Sequence, residues 1–533
     1  MKALCTHCQV PIPSDGFVYD LNETGILFDL LRTRAPQFLT LVSCLEQRLG
    51  RSLFFYPIHP LMDSVSPSVP NASGRIFTRQ VPITAQPIQN ALQEAGLWPD
   101  GLANRLLALS QLLEVPAPDQ EVERLCRQLD SGQPLFHLPL EVVTTLDDQG
   151  AEIPLELRHP ATGRRISGKY CPHCHQPMSD LAGIHHEVVV ALAGAERIGK
   201  TAVATAAISC LLRPNPTGLK LLLPPDEDPK WSVFQEHCLR PYEQGRAVLK
   251  THTGQSHAFS VTLTLRIPLV QDRHRDVNLT IVDLPGEFFS EVIQDQWFAQ
   301  YGKLYQNASA IWFPTDLAQL AQLLHPDPGY GYDGKQIAVD VPILRRNLNT
   351  LRQRLDTSGQ EKPFCIILNK SDMTAQTSGA GHLLYSTEDI TPRYLSGSFL
   401  LEHSWCQLVA NVRRYIQQTN ASYLAVLEEA FPLRTFVALS AYGHPVDQHT
   451  QQVNVPYNVA APVIWSLAML SLLPVVRVNG SGQPEAVRMN RDGQPDPDLC
   501  RNLGHPDYDA QGRVRLRLPR PPAQRRGFFA RFR

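Results

Sequence analysis

Residues 188–204, VVVALAGAERIGKTAVA, pass from an apolar run into GxxxxGKT and then into small, helix-compatible residues. A buried strand, a glycine-bracketed turn and a helix in that order predict a phosphate-binding loop. Backbone N–H groups must close around an anion, which Gly194 and Gly199 permit, and the helix that follows adds its positive dipole end. Lys200 is then placed to reach the β- and γ-phosphates, and the Thr201 hydroxyl to hold Mg²⁺. The expected cradle comprises Gly194, Ala195, Glu196, Arg197, Ile198, Gly199, Lys200, Thr201 and Ala202.

Three further signals follow, each at the end of an apolar stretch. LTIVDLPGEFF (279–289) closes on Asp283 and then DxxG with Gly286. The aspartate would accept from a Mg²⁺-bound water, and the Gly286 N–H would sense a γ-phosphate. PFCIILNKSD (363–372) delivers Asn369, Lys370 and Asp372, and RTFVALSAYG (434–443) delivers Ser440 and Ala441. DxxG and SA are weak singly, whereas the four motifs in this order are strong together.

NKSD names the base. Guanine presents N1–H and its 2-amino group side by side, so the Asp372 carboxylate can accept both; adenine offers a bare N1 there. A site built on such bonds rejects the wrong ligand by roughly 10⁴, because its polar groups are otherwise left unpaired. Lys370 would lay its aliphatic stem over the loop that holds the base, and the Ala441 N–H would meet guanine O6.

With GAERIGKT, DLPG, NKSD and SA in place, the chain resembles the translation-factor-related class of P-loop GTPases over about residues 187–473. More narrowly, the cysteine knuckles, DLPGEFF and the apolar run ending in IWSLAMLSLL resemble bacterial double-GTPase proteins of multi-gene conflict systems. The resemblance implies a Mg²⁺-dependent, GTP-hydrolysing switch, with Lys200, Thr253, Gly286 and Glu287 as the catalytic set and Thr201 and Asp283 on the metal.

Departures from the family pattern qualify this expectation. Glu287 follows the DxxG glycine where small signalling GTPases usually carry Gln. A carboxylate there can orient the attacking water but also repels the γ-phosphate, which predicts slow or partner-assisted hydrolysis. Arg197 has two readings, a charge supplied to the transition state in cis and a solvent-facing residue paired with Glu196. For the switch I threonine the candidates are Thr217, Thr251 and Thr253; Thr253 lies where such a residue belongs, with Thr251 close behind. A helix is expected around residues 231–239 within an unusually long switch I region.

Cys5 and Cys8 in CTHCQVPI and Cys171 and Cys174 in CPHCHQPM are near copies of one knuckle. Two such turns read as the halves of a Cys₄ zinc site. The alternatives are two redox pairs, disfavoured by Pro11, Pro13 and Pro177, or two separate sites completed by His7, His173 or His175. The other seven cysteines read as packing.

The fold class expected is α/β: a P-loop GTPase with a mainly parallel sheet flanked by helices, plus a zinc-ribbon module carrying a large α+β insert. The expected domains are a split ribbon at 1–8 and 171–180, an insert at 9–170, a GTPase domain at 185–475 and an extended basic tail at 476–533. In the insert, helical periodicity covers residues 25–50 and recurs near 90–98 and 104–115, and alternation from residue 135 predicts a hairpin across 147–150. Asp316, closing ASAIWFPTD, points to the same edge as the motifs and receives no role.

A net charge of −2 over 533 residues gives no global attraction to nucleic acid or membrane. The tail from residue 513, RVRLRLPRPPAQRRGFFARFR, is instead locally basic and aromatic, suited to RNA, an anionic membrane face or an acidic protein groove, or to a solubilising end. The 459–476 segment is the sole membrane candidate, and Pro462 and Pro474 leave it a rod of roughly 16 Å against a core of about 30 Å. It is expected to pack on the sheet. Eleven cysteines without an export signal predict reduced thiols in the cytoplasm. Besides a GTPase switch, two readings stay open: a GTP-responsive scaffold with little turnover, and a nucleic-acid binder acting through knuckles and tail. An ATPase leaves NKSD without a purpose.

Overall fold

In the computed structural model, residues 2–496 are described apart from 6–7, 9, 14–15, 58–75, 117–118, 147–151, 179–181, 196–197, 216, 224–228, 249–258, 269–273, 285–301, 317–319, 321–340, 356–361, 373–399, 432, 445–452, 471, 474, 479–483 and 490–494. Glu196, Arg197, Thr251, Thr253, Gly286, Glu287, His7 and the arginine-rich tail lie outside the described residues. Contacts divide the chain into two units, Met1–Cys8 with Ile12–Ile184, and Gln9–Pro11 with His185–Arg533.

In the first unit β1 (Lys2–Leu4) and β2 (Pro11–Pro13) flank the first knuckle, and β3 (Val18–Asp20) leads to helices α1 (Ile26–Arg34) and α2 (Pro36–Leu49). The helical periodicity across residues 25–50 is interrupted at Ala35, whose φ of −149° is extended. Pro36 explains the break, because proline disfavours helical backbone on the residue before it. Then come β4 (Phe55–Pro57), β5 (Ile76–Thr84), α3 (Gln86–Glu94), α4 (Leu102–Leu112), α5 (Gln120–Asp130), β6 (Pro134–Leu146), β7 (Glu152–Arg158), β8 (Arg165–Ile166) and β9 (Lys169–Tyr170).

Among the described residues, three small sheets organise this unit, β1-β2, β4-β3-β9 and β5-β6-β7-β8. The pair β6 and β7 is the expected hairpin, antiparallel with a register shift after Val143. Strand β5 and helix α5 were not expected. α5 buries Val122, Leu125, Cys126 and Leu129 on one face, and the Asp119 side chain caps it by accepting from the Glu121 N–H at 2.7 Å. Phe17, Tyr19, Phe38, Leu41, Leu138 and Leu157 share one core with Cys5 and Cys171, so the knuckles and the intervening segment bury the same apolar surface.

The second unit is built on a seven-stranded sheet in the order β11-β12-β13-β10-β14-β15-β17. Its strands are β10 (His186–Leu192), β11 (Lys220–Leu222), β12 (Phe259–Pro268), β13 (His274–Asp283), β14 (Ala310–Asp316), β15 (Phe364–Asn369) and β17 (Arg434–Ala438). β10 pairs in parallel with β13 and β14, and β14-β15-β17 continue in parallel, while β12 runs antiparallel to β11 and β13. Val188–Leu192 is buried throughout, as a central strand covered on both faces requires. The chain runs from β10 to one side and returns to its other side at β14, so β10 marks the switch point where open α/β sheets bind ligands.

Helices α6 (Lys200–Leu212), α8 (Val341–Leu355), α9 (Glu402–Thr419), α10 (Ala421–Ala430) and α11 (Ala461–Met469) accompany the sheet. Between α6 and α8 the expected switch-region helix, α7, runs as Pro229–Phe234, a π-helical turn Gln235–Leu239 and Arg240–Glu243. α11 is buried from Ala461 to Ala468 and anchored by Trp312 Nε1 donating to Ser466 Oγ at 3.0 Å. Among the described residues no helix is long and apolar enough to cross a membrane. Where the sequence suggested an extended tail from residue 476, the strands β18 (Val475–Val478), β19 (Pro484–Met489) and β20 (Pro495–Asp496) form a small sheet with β16 (Leu400–Leu401).

Candidate functional site

The carboxyl ends of β10, β13, β14, β15 and β17 carry the phosphate-loop, Asp283, Asp316, Asn369 and Ser440 regions respectively. The ladder itself aligns them: Leu192 pairs with Asp283, Asp316 with Asn369, and Leu368 with Ala438. Tight turns after β10 demand glycine. A Cβ on Gly194, at φ +140°, would lie 2.5 Å from Ile198 Cδ1, and one on Gly199, at φ +84°, would lie 2.6 Å from Asn369 Nδ2.

Lys200 opens α6 and is 8% exposed, its Nζ donating to the carbonyls of Gly194 at 3.1 Å and Ala195 at 2.9 Å. The ammonium therefore spans the loop it is expected to serve. The Thr201 hydroxyl is hydrogen-bonded to Asp283 Oδ2, which joins the two expected magnesium ligands. Thr217, by contrast, is buried in a turn and donates its hydroxyl to Asn215 Oδ1. That local bond engages the hydroxyl within its own turn.

Asn369 is buried, and its Nδ2 donates to the Ile198 carbonyl at 3.0 Å, tying NKSD to the phosphate loop. Lys370 adopts φ +60°, unusual for a residue with a side chain, and its N–H donates to Asn369 Oδ1 at 2.8 Å. Its ammonium lies 2.8 Å from Asp316 Oδ2, in a pair whose side chains are 15% and 1% exposed. Asp316 thus has a definite partner within the motif. The sequence signal was there: an apolar strand closing on a carboxylate at the level of the other motif ends.

Asp372 is 6% exposed, and the Ser371 N–H donates to the Leu439 carbonyl at 3.1 Å, so NKSD is also tied to the SA strand. Ser440 is held by a reciprocal bridge with Tyr457, and its Oγ accepts from the Gly443 N–H at 2.9 Å. The Ala441 carbonyl accepts from the Tyr242 hydroxyl at 2.6 Å. Nothing local in the sequence pointed to Tyr242.

Residues 188–395 match the family model described as Double-GTPase 2. Over this segment the chain is similar to the Double-GTPase 2 family. The match takes in the phosphate loop, Asp283 and NKSD, and ends before β17 and the Ser440 and Ala441 that follow it. No curated protein matches the chain.

Among solved structures, this chain is similar to a chain of the signal recognition particle receptor SRb-GTP/SRX complex from Chaetomium thermophilum, at 16% identity over 48% of this chain and 92% of that one, with a TM-score of 0.22. It is also similar to the G domain of the T. maritima FeoB iron transporter (11% identity, 48% and 89% covered, TM-score 0.17). The S. cerevisiae Ski7 GTPase-like domain bound to GTP gives 13%, 52% and 49%, with a TM-score of 0.23. The P-loop GTPase fold rests on the family match and the strand order rather than on these superpositions.

In the first unit, Cys5, Cys8, Cys171 and Cys174 bring their sulfurs within 4.8 Å of one another. Cys5 and Cys174 approach to 3.7 Å, and Cys8 and Cys171 to 3.5 Å. Four sulfurs at about 2.3 Å from a tetrahedral zinc ion would be about 3.8 Å apart, so the cluster has the size such an ion requires. The His173 N–H donates to Cys171 Sγ at 3.4 Å, the kind of bond that stabilises a thiolate.

As thiols, Cys171 and Cys174 resist ionisation. The contact with Cys5, then burial, pushes Cys171 up, and burial, with Cys5 beside it, pushes Cys174 up to about 11. A divalent cation at the centre would reverse that balance. Among the described residues this is the one group of three or more potential metal ligands, and it contains no histidine. His175 instead stacks on Phe55, with ring centroids 4.3 Å apart and an interplanar angle of 11°.

Proposed function

We propose that the chain is a Mg²⁺-dependent, GTP-hydrolysing switch whose nucleotide lies across the carboxyl ends of β10, β13, β14, β15 and β17. The observation carrying this reading is the chain of contacts Thr201–Asp283, Ile198–Asn369, Lys370–Asp316 and Ser371–Leu439, which welds the phosphate, metal and base motifs into one edge. Lys200 would exchange its two loop carbonyls for β- and γ-phosphate oxygens. Thr201 and Asp283 present paired oxygens that suit Mg²⁺, the hydroxyl as a direct ligand and the carboxylate through water; the ion would neutralise phosphate charge. Asp372 reads guanine N1–H and the 2-amino group, with Ser440 and Ala441 at O6.

Thr253, with Thr251 as the alternate, Gly286 and Glu287 complete the catalytic set by sequence position. Glu287 in place of Gln supports slow or partner-activated turnover, and equally supports the second reading, a GTP-responsive scaffold that hydrolyses little. A place in a bacterial conflict system, a cytoplasmic site of action, and RNA, protein or membrane contact through residues 513–533 extend the proposal from sequence resemblance and composition. The four cysteines would hold one structural zinc ion.

Single-turnover hydrolysis of GTP by the whole chain separates switch from scaffold. Lys200→Ala is expected to lower GTP affinity about a hundredfold, since it removes a charged donor to two phosphates, and to abolish turnover. Turnover retained in that variant would show that the hydrolysis arises elsewhere.

The buried Lys370–Asp316 pair yields a second test. Asp316→Asn leaves the ammonium without its counter-charge, which is expected to cost about 3 kcal/mol of stability and about tenfold in GDP affinity. Combined with Lys370→Met, the losses should be less than additive; full additivity in thermal unfolding and nucleotide titration would mean that the two side chains act independently.

A further inference from the structure

The base-contacting loop after β17 is held by residues from far away in the chain. The Ser440 carbonyl, which belongs to the peptide bearing the Ala441 N–H, accepts from the Tyr457 N–H at 2.9 Å, and the Ser440 N–H returns a bond to the Tyr457 carbonyl at 3.0 Å. That fixes one side of Ala441. On the other side its own carbonyl accepts from the Tyr242 hydroxyl at 2.6 Å, across 199 residues of sequence.

Tyr242 is itself fixed. It is 3% exposed, sits in the last turn of α7 directly after the π-helical segment, and its carbonyl accepts from Asn454 Nδ2 and from the Gly245 N–H. Its ring lies 5.3 Å from that of Tyr442, whose hydroxyl accepts from the Val248 N–H at 3.0 Å. Two tyrosines therefore lace the end of α7 to the SA loop in both directions. Burial pushes the Tyr242 phenol upward, so the group stays a hydroxyl and a donor at neutral pH.

We infer that Tyr242 is a specificity-determining positioning residue: by clamping the Ala441 carbonyl it sets the direction in which the Ala441 N–H meets the 6-oxo group of the base. The inference rests on the guanine reading of NKSD and SA, and deepens it. A single N–H earns discrimination only if it cannot turn to follow a poorer acceptor. The Ala441 methyl offers no hydrogen-bonding group with which to brace its own peptide, so the brace comes from outside. The π-helical turn ahead of Tyr242 is the kind of local irregularity that re-aims a side chain at a functional place.

The test uses the full chain and three nucleotides that differ at one position of the base. GDP carries the 6-oxo group, the N1–H and the 2-amino group; 6-thio-GDP changes only the oxygen, to a weaker sulfur acceptor; IDP lacks only the 2-amino group. Wild-type protein should prefer GDP over both. In Tyr242→Phe, GDP affinity should fall about tenfold while 6-thio-GDP affinity falls little, so that the GDP to 6-thio-GDP preference approaches one and the GDP to IDP preference is kept. A merely structural loss would weaken all three nucleotides alike.

An unchanged GDP to 6-thio-GDP ratio in Tyr242→Phe would overturn the inference and leave the guanine reading standing. A wild-type chain indifferent between GDP and IDP would instead bring down the guanine reading, and the inference with it. Asn454→Ala loosens the same clamp from behind Tyr242 and serves should Tyr242→Phe not fold. It should reduce the 6-oxo preference roughly threefold, and an unaltered preference there also counts against the inference.

Discussion

Titration of Asp372→Ala with GDP should show binding about a thousandfold weaker than in the wild-type chain, and the preference for GDP over ADP should disappear. The carboxylate is 6% exposed and stands at the end of a segment locked to the phosphate loop by Asn369 and to β17 by Ser371. Two charge-assisted bonds to the base, each contributing about 1.5–3 kcal/mol, are removed together, and the N1–H and 2-amino group of guanine are then desolvated without partners. Adenine loses nothing of the kind, so its affinity should stay low and unchanged. Calorimetric titration of both nucleotides against both proteins measures this directly. A variant that kept its guanine preference would mean that the base is read elsewhere.

The second large effect is expected at the cysteine cluster. Metal analysis of the purified chain should find about one zinc ion per molecule, and Cys171→Ser should lose it. Cys5 and Cys171 are 1% and 0% exposed and belong to the hydrophobic core of the first unit, so the metal and the core are expected to be lost together. Structural zinc contributes roughly 10–16 kcal/mol to small peptides that fold around it. A third of the lower figure appearing as stability would lower the unfolding midpoint of this unit by about 10 °C. Nucleotide affinity measured below that transition is expected to be unaffected. A metal-free chain that melts no lower after the substitution would show that the four sulfurs are packed thiols.

The strand ends that carry the four motifs were legible because each motif has residue types at fixed local spacing, and because buried parallel strands write themselves as apolar runs. The strands from Val188, Leu279, Phe364 and Thr435 all end where the ladder aligns Leu192 with Asp283 and Asp316 with Asn369. The buried α11 was readable for the same reason, since it lies within one apolar run and opens on Pro462. Strand β5 and helix α5 were within reach of the same reasoning: α5 has apolar residues at helical spacing behind an Asp119 cap. The short strands β18 to β20 offer too few residues for any period to show.

By itself the sequence determined the motifs from which the chemistry of the nucleotide edge is proposed, because such motifs are local: a turn, a strand end, a spacing of three or four residues. Only the tertiary structure decided who holds those residues. Asp316 meets Lys370 because β14 and β15 are neighbours in register, Tyr242 meets Ala441 because α7 ends beside the SA loop, and Cys8 meets Cys171 across 163 residues because both knuckles bury into one core. Contacts between distant segments follow from the order of strands and the shape of a packed interior, and no local pattern of residues records either.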